Sequence, residues 1–239
     1  MVGTKIKVSL FILFLGLFGC AAQDSTEIVD LLTAFDFADG SQSWEGGISD
    51  YPVGYNDSLV NVDYSIKVLS NLPLEGSDGL RISADNPHGD LFYFFKREIR
   101  DLVPNKRYKI DFEFLVYTQL LTQSDKLSSE ELYLKIGAVN YEPDLQQVNW
   151  QNALEYMVLN VDKGETNAES GDDIVNVGSI KELTSKTAEA ISGNTYDFLI
   201  EVVSDKEGVI WLVIGVDSGI KSQLTFGMSA FTAYFREQN

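Results

Sequence analysis

Apolar and polar residues alternate with a period of two in several segments of the chain after residue 28. In residues 60–68 every second residue is apolar and the residues between them are polar. Side chains of a strand point alternately to its two faces, so this pattern predicts a half-buried β-strand. Alternating or short apolar segments predict further strands at 34–37, 80–84, 91–99, 108–116, 132–138, 156–161, 174–177, 196–202, 209–216 and 224–235.

Two of these segments, 91–99 and 108–116, are joined by residues 101–107, which contain the turn pair Pro104-Asn105. Proline presets its own φ and asparagine tolerates a left-handed φ, so the chain reverses there at little steric cost. The pattern predicts a β-hairpin. Residues 209–216 are apolar at nearly every position, which predicts a central strand with Trp211 in the core.

Turn signals separate the predicted strands, and no sustained helical period, internal repeat or Pro- or Ser-rich linker interrupts them. Many short strands in about 200 residues are typical of an all-β domain. We therefore predict a single domain over residues 28–239, folded as an antiparallel two-sheet β-sandwich of the jelly-roll type.

The first 19 residues have the layout of a signal peptide. Lys5 and Lys7 precede an uncharged apolar run over residues 8–18. That run is shorter than the roughly 20 apolar residues that a membrane-spanning helix needs. We predict a signal peptide over residues 1–19.

The segment Leu17-Phe18-Gly19-Cys20 resembles a bacterial lipobox. The resemblance implies that Cys20, the only cysteine, is the lipid-modified N-terminus of the mature chain and that residues 20–27 form a tether. With Ala21 after the cysteine, it further implies the outer membrane if the cell is Gram-negative. The alternative is cleavage by an ordinary signal peptidase near Ala21-Ala22.

The formal net charge of −18 limits the partners. Removing residues 1–19 removes two lysines and no acid, which gives −20 for the mature chain. Such a surface repels nucleic acid, so we predict no nucleic-acid partner. Carboxylates in loops suit a structural Ca²⁺ ion, although no EF-hand spacing occurs and solvated turn acids are the alternative. The calcium candidates are Asp85, Asn86, Asp90 and Asp162, with Asp36 and Asp39 as a further pair.

The residue inventory excludes several chemistries. His88 is the only histidine and lies in the turn Asn86-Pro87-His88-Gly89, where we expect it to be exposed. With one histidine and one cysteine, a zinc site or a histidine-based triad lacks residues. No glycine-rich phosphate loop is present. Glycoside hydrolysis needs two carboxylates, and among 36 acidic residues such a pair is always available. Its presence therefore does not distinguish a glycosidase from a non-catalytic protein.

Loops 41–56 and 140–152 carry aromatic residues beside carboxylates and amides. Aromatic faces stack on the apolar side of a sugar ring while polar neighbours bind its hydroxyls. Packing into the core is the alternative for each aromatic, above all for the first tryptophan. The predicted ligand-binding residues are Trp44, Asp50, Tyr51, Asp90, Tyr141, Glu142 and Trp150.

The order of elements from Phe35 to Phe235 resembles the jelly-roll sandwiches of carbohydrate-binding modules and galactose-binding-like domains. The likeness is carried by Phe35-Asp36-Phe37 followed by Trp44, by the spacing from Leu102 through Pro104 to Tyr108, and by the closing strand 224–235. Residues 135–143 and 160–164 are also similar to stretches of uncharacterised bacterial lipoproteins. The resemblance implies a lipid-anchored, extracytoplasmic, non-catalytic carbohydrate-binding module. A structural lipoprotein that binds an envelope protein and a glycan-active hydrolase are the alternatives.

Overall fold

The computed structural model describes residues 31–55, 60–63, 79–120, 132–150, 154–180 and 190–238. Within them no helix is long and apolar enough to cross a membrane. The strands are Leu31–Phe35 (β1), Glu45–Ser49 (β2), Tyr51–Pro52 (β3), Val60–Asp63 (β4), Leu80–Ala84 (β5), Phe92–Ile99 (β6), Arg107–Leu120 (β7), Leu132–Val139 (β8), Leu145–Trp150 (β9), Leu154–Leu159 (β10), Ile174–Ser179 (β11), Ala190–Asn194 (β12), Glu201–Val203 (β13), Ile210–Ser218 (β14) and Leu224–Glu237 (β15).

The strands form three antiparallel sheets. The large sheet has the order β12-β7-β15-β5-β4, with β1 paired to β15 and β13 paired to β7. The central sheet has the order β11-β8-β14-β6-β2, and the small sheet has the order β3-β10-β9. This arrangement confirms the predicted all-β antiparallel sandwich.

The main core lies between the large and central sheets. Alternate residues of β7 and β15, such as Phe112 and Phe231, meet alternate residues of β6, β8 and β14, such as Phe95, Ile136 and Ile214. All five are at most 1% exposed. The period-2 pattern of β7 therefore reflects burial on the side that faces the opposite sheet.

The central sheet is also buried on its other face. There Phe92, Phe94 and Val213 pack with Leu159 and Val161, which belong to β10 and to the loop after it. This second contact explains why β14 is apolar on both faces. β14 pairs with both β6 and β8, so the predicted central position of this segment is confirmed. Trp211, which we expected in the core, lies half-buried against this second cluster.

The predicted hairpin of residues 91–116 is wrong. β6 belongs to the central sheet and β7 to the large sheet, so the turn between them crosses from one side of the sandwich to the other. The turn is held by the segment before β14, because the amides of Leu102 and Asn105 donate to the carbonyls of Gly208 (3.1 Å) and Asp205 (3.1 Å). Asn105 has the expected left-handed conformation, with φ of 56°.

Three segment boundaries also differ from the prediction. The loop predicted over 41–56 contains β2 and β3, and the loop predicted over 140–152 contains β9. The strand predicted over 196–202 is reduced to β13, because Phe198 turns back and donates its amide to the carbonyl of Thr195 (2.9 Å). The predicted 60–68 strand is described only as far as Asp63.

Residues 1–30 lie outside the described part of the chain. The predicted signal peptide, Cys20 and the tether to residue 27 all fall within that segment. They remain predictions.

Replacing Gly137 with alanine is expected to lower the free energy of unfolding by about 2–3 kcal/mol through overpacking. A Cβ atom there would lie 2.1 Å from the carbonyl oxygen of Asp173 and 2.8 Å from the Cα of Ile174, so β11 would have to move away from β8. Denaturant unfolding at a constant m-value measures the loss. Gly54→Ala is the control, because a Cβ there meets nothing within 4 Å and only the φ of 90° is unfavourable. An equal loss in both variants would contradict the expected clash.

Candidate functional site

The turn between β5 and β6 is organised by the buried side chain of Asn86. Its Oδ1 accepts the amides of Gly89 (2.9 Å), Asp90 (3.1 Å) and Leu91 (3.4 Å), and its Nδ2 donates to the carbonyl of Ser218 (3.2 Å). These bonds fix the turn to the end of β14 and hold Asp90 beside it. The predicted metal ligand Asn86 therefore acts as a positioning residue for the backbone.

Asp50 lies in the sharp bend between β2 and β3, with φ of 67°. Its amide donates to the carbonyl of Met157 (2.7 Å) in β10, which links the central and small sheets at this point. The bend directs the carboxylate toward Lys163, whose Nζ lies 3.0 Å away.

The acidic loop of residues 162–173 is ordered by its own backbone and side-chain bonds. The Oδ1 and Oδ2 atoms of Asp162 accept the amides of Gly164 (3.0 Å) and Asp172 (3.1 Å). These amides lower the pKa of Asp162 below its ordinary range. Asp173 accepts the amide of Asp162 (2.8 Å) and the hydroxyl of Tyr141 (2.7 Å). The loop folds back onto the central sheet, where its carbonyls at Lys163 and Thr166 accept the ammonium of Lys135.

Two lysines and two aspartates, which we call the ionic cluster (Asp50, Lys135, Lys163 and Asp217), lie between this loop and the central sheet. Lys163 Nζ lies 2.6 Å from Oδ2 of Asp217, and Lys135 Nζ lies 3.2 Å from the same oxygen. The side chains of Lys135 and Asp217 are 0% and 1% exposed, and those of Lys163 and Asp50 are 16% and 18% exposed. The Lys163 ammonium also lies 5.3 Å from the centre of the Phe92 ring.

Burial and charge act in opposite directions within the ionic cluster. Burial raises the pKa of Asp50 to about 6, although Lys163 works against the shift. Burial lowers the pKa of Lys135. Burial would also lower the pKa of Lys163, but the carboxylates of Asp50 and Asp217 outweigh it and raise that pKa. Lys163 is thus the firmly charged lysine, and Lys135 is the one that loses its proton more readily.

Above the ionic cluster the structure has a cavity of about 260 Å³. Asp50, Asp90 and Asp162, which were selected from the sequence, come together in its wall. The full lining is Asp50, Asp90, Tyr156, Val158, Leu159, Val161, Asp162, Lys163, Gly164, Glu165, Asn167 and Asp217. The lining combines polar and charged residues with apolar residues of β10 and with Val161.

Sequence reasoning missed most of the basic and amide groups of this site. Lys135 occupies a polar position of an alternating strand, which predicts exposure to solvent, and it is buried because the acidic loop covers that face. Asn167, oriented so that both its amide atoms are satisfied, donates to Oδ1 of Asp217 (3.2 Å) and accepts the amide of Gly219 (2.9 Å). The Lys-Gly pair after Asp162 was the available signal, because it marks a tight turn next to a cation.

The other predicted ligand-binding residues do not line the cavity. Trp44 is 1% exposed in the main core, so its ring presents no face to a ligand. Tyr51 packs against that core with its ring 5.3 Å from the ring of Tyr55. The carboxylate of Glu142 lies 2.9 Å from Lys96 Nζ, and the hydroxyl of Tyr141 donates to Asp173. The side chain of Trp150 lies outside the described residues.

The expected calcium site and the expected exposure of His88 also concern this region. Among the described residues, no three His, Cys, Asp or Glu side chains are grouped so that they could hold a metal ion. Calcium remains a prediction, and the carbonyl of its candidate Asp85 accepts the hydroxyl of Tyr55. His88 is exposed, as expected for a turn residue.

No protein-family model and no curated protein matches the chain. Among solved structures, the chain is similar to TmCBM61 in complex with beta-1,4-galactotriose, at 12% identity and a TM-score of 0.38 over 85% of this chain and 94% of that one. It is similar to the xylan-binding module CBM15 at 14% identity and a TM-score of 0.35 over 87% of this chain and 99% of that one. It is also similar to the CBM22-1 xylan-binding domain from Paenibacillus barcinonensis Xyn10C, at 13% identity and a TM-score of 0.36 over 87% of this chain and 95% of that one.

Proposed function

We propose that the chain is a lipid-anchored extracytoplasmic module that binds carbohydrate in the cavity above the ionic cluster, without catalysis. The observation that carries the proposal is the mixed lining of the cavity, which combines apolar residues with hydrogen-bonding groups. A sugar ring has an apolar face and a rim of hydroxyls, and it needs apolar contact on one side and hydrogen-bonding groups on the other. Val158 and Leu159 supply the apolar contact, and Asp90 and Glu165 supply the hydrogen-bonding groups.

The cavity volume of about 260 Å³ is near the lower end for small-ligand sites, so the site takes one sugar ring and leaves the rest of a glycan in solvent. Asp90 and Glu165 are exposed, and as charged acceptors they are available to hydroxyl donors. The lipid on Cys20 holds the module at the outer membrane in this proposal.

Removing a carboxylate from the cavity is expected to weaken glycan binding at least tenfold, or about 1.4 kcal/mol. Affinity gel electrophoresis of residues 21–239 over a panel of soluble polysaccharides measures this, with calcium and again with chelator. The informative variants are Asp90→Asn and Glu165→Gln. Glu207→Gln is the matched control, because it removes the same charge from an exposed turn with no part in the cavity.

Retardation by one glycan that falls in both cavity variants and not in Glu207→Gln would support the proposal. Loss of retardation in chelator would add calcium to the site. A broad panel that retards none of the proteins under either condition would rule out carbohydrate binding in this form.

A hydrolase is the catalytic alternative, and Asp50 is the observation in its favour. A carboxyl with a pKa raised to about 6 has the property of a general acid. Turnover of chromogenic glycosides that is lost in Asp50→Asn would establish this activity in place of simple binding. The absence of turnover on a broad panel would exclude it.

Docking of an envelope protein is the remaining alternative. It is favoured by apolar side chains exposed near β13, with Leu199 at 69%, Val103 at 48% and Val203 at 37%. Exposed apolar patches mark protein interaction sites in many soluble proteins. A partner that co-purifies with the wild type and is lost in Leu199→Asp, while the cavity variants retain it, would favour this function.

A further inference from the structure

Lys135 and Asp217 are held against each other in a fully buried position. They lie on adjacent strands of the central sheet, where Lys135 pairs with Gly215 and Asp217 pairs with Tyr133, so the two side chains are diagonal neighbours on one face. Lys135 Nζ donates to the carbonyls of Lys163 (2.7 Å) and Thr166 (3.1 Å). A neutral amine in this place uses both hydrogens on these carbonyls and points its lone pair toward Asp217.

The surroundings supply the other groups that an acyl transfer to this amine requires. Lys163 Nζ, 2.6 Å from Oδ2 of Asp217, can give a proton to that oxygen as it leaves. The amide of Asn167, 3.2 Å from Oδ1, can stabilise negative charge on the oxygen that stays. The side chains of Lys135 and Asp217 are 0% and 1% exposed, so bulk water does not reach the reacting atoms, which favours amide formation over hydrolysis.

We propose that Lys135 and Asp217 condense to form an intramolecular amide bond that joins β8 to β14. The Nζ–Cγ bond forms and the Cγ–Oδ2 bond breaks. The Lys135 ammonium loses two protons in all, and both leave on Oδ2 as one water molecule, the second by way of Lys163. An ammonium and a carboxylate thus become a neutral amide and water, and no oxidant or co-reactant is needed.

Charge pairing selects Lys135 over Lys163 as the linked residue. After Lys135 condenses with Asp217, Lys163 keeps its contact with Asp50 at 3.0 Å, so no buried charge is left alone. Condensation of Lys163 would instead leave the fully buried Lys135 ammonium with carbonyls as its nearest acceptors. Burial also lowers the pKa of Lys135, which favours the neutral amine that attacks. Proximity on rigid strands replaces an external catalyst.

Mass spectrometry of the purified full chain tests the proposal. The wild type and the Lys135→Arg variant are compared in the same lipidation state, so that any N-terminal modification cancels. The variant is expected to be heavier than the wild type by the Lys-to-Arg difference plus one water. Digestion of the wild type is expected to give a peptide that contains Lys135 joined to the peptide that contains Asp217.

A mass difference equal to the Lys-to-Arg difference alone would overturn the proposal, and so would a linked peptide that contains Lys163 in place of Lys135. Asp50→Asn leaves both linked residues in place and alters only the partner of Lys163. It is expected to give a mixture of linked and unlinked chains when freshly made, with the linked fraction rising over time. The same linked fraction at every time as in the wild type would overturn the role of Lys163 as the residue that passes on the second proton. Glycan binding is measured separately, so either proposal can fail alone.

Discussion

Replacing Trp44 with alanine is expected to lower the free energy of unfolding by about 3–5 kcal/mol, the range for a large aromatic residue in a core. The indole ring makes edge contacts with Phe231 (5.0 Å between ring centres), Phe35 (5.4 Å) and Phe37 (6.5 Å). Alanine would leave a cavity among three aromatic rings that belong to two segments, β1 with the turn after it and β15. Denaturant unfolding followed by Trp and Tyr fluorescence measures the loss.

Two controls separate packing from ligand contact. Trp44→Phe is expected to cost much less, since Nε1 of Trp44 is buried without a hydrogen-bond partner among the described residues and phenylalanine removes that unsatisfied donor. Leu199→Ala, at an exposed position, is expected to cost nearly nothing. A stable, folded Trp44→Ala protein that has lost only glycan binding would contradict the core assignment and restore Trp44 to the binding site.

The loop that carries Trp44 shows why sequence periodicity alone missed β2. Gly46 and Gly47 have no side chains, so the apolar-polar alternation disappears across this strand. Gly47 is needed there because a Cβ would lie 2.7 Å from the ring of Phe94 on the neighbouring strand. A glycine required by a cross-strand aromatic ring is visible only when the pairing is known.

The false hairpin has a similar cause. The apolar run of β6 and the period-2 pattern of β7 correctly identified two strands, and Asn105 correctly marked the turn. Which strand each one pairs with depends on residues more than 100 positions away, in β14 and β15. The local pattern of apolar and polar residues predicts which positions are buried and where the chain turns. It does not predict which distant strand a segment pairs with.

The candidate site was predictable in its acids and not in its bases. Asp50, Asp90 and Asp162 stood out as loop residues, and loops supply most binding residues. Lys135 lies on the polar side of an alternating strand, a position that predicts exposure to solvent. It is buried because the loop that starts at Asp162 folds over that side, an event decided by the loop's own hydrogen bonds.

Replacing Asp217 with alanine is expected to destabilise the protein more than replacing Lys135 with methionine, by about 3–5 against about 1–2 kcal/mol, because a buried charge without its partner is costly. The first change leaves Lys135 and Lys163 with Asp50 as the one carboxylate of the cluster. The second leaves Lys163 between two carboxylates, and Asp50 can then take up a proton. Both changes remove the proposed amide bond. The difference between their two losses of unfolding free energy therefore measures the effect of the charges that remain.

The pH dependence of Lys135→Met checks this account. The pKa of Asp50 is about 6 in the folded protein, against an ordinary value of 3.8, so the folded state binds more protons between these values. This contribution to stability is fully present below the ordinary pKa and is lost as the pH rises through 6. Lys135→Met frees the Asp217 carboxylate where the amide bond has formed and removes the Lys135 cation where it has not, and either change raises the folded pKa of Asp50 further. The variant should therefore recover more stability than the wild type on going from pH 7 to pH 5. Parallel stability profiles for the two proteins would show that Asp50 does not compensate for the missing lysine, and the two substitutions would then be expected to cost similar amounts.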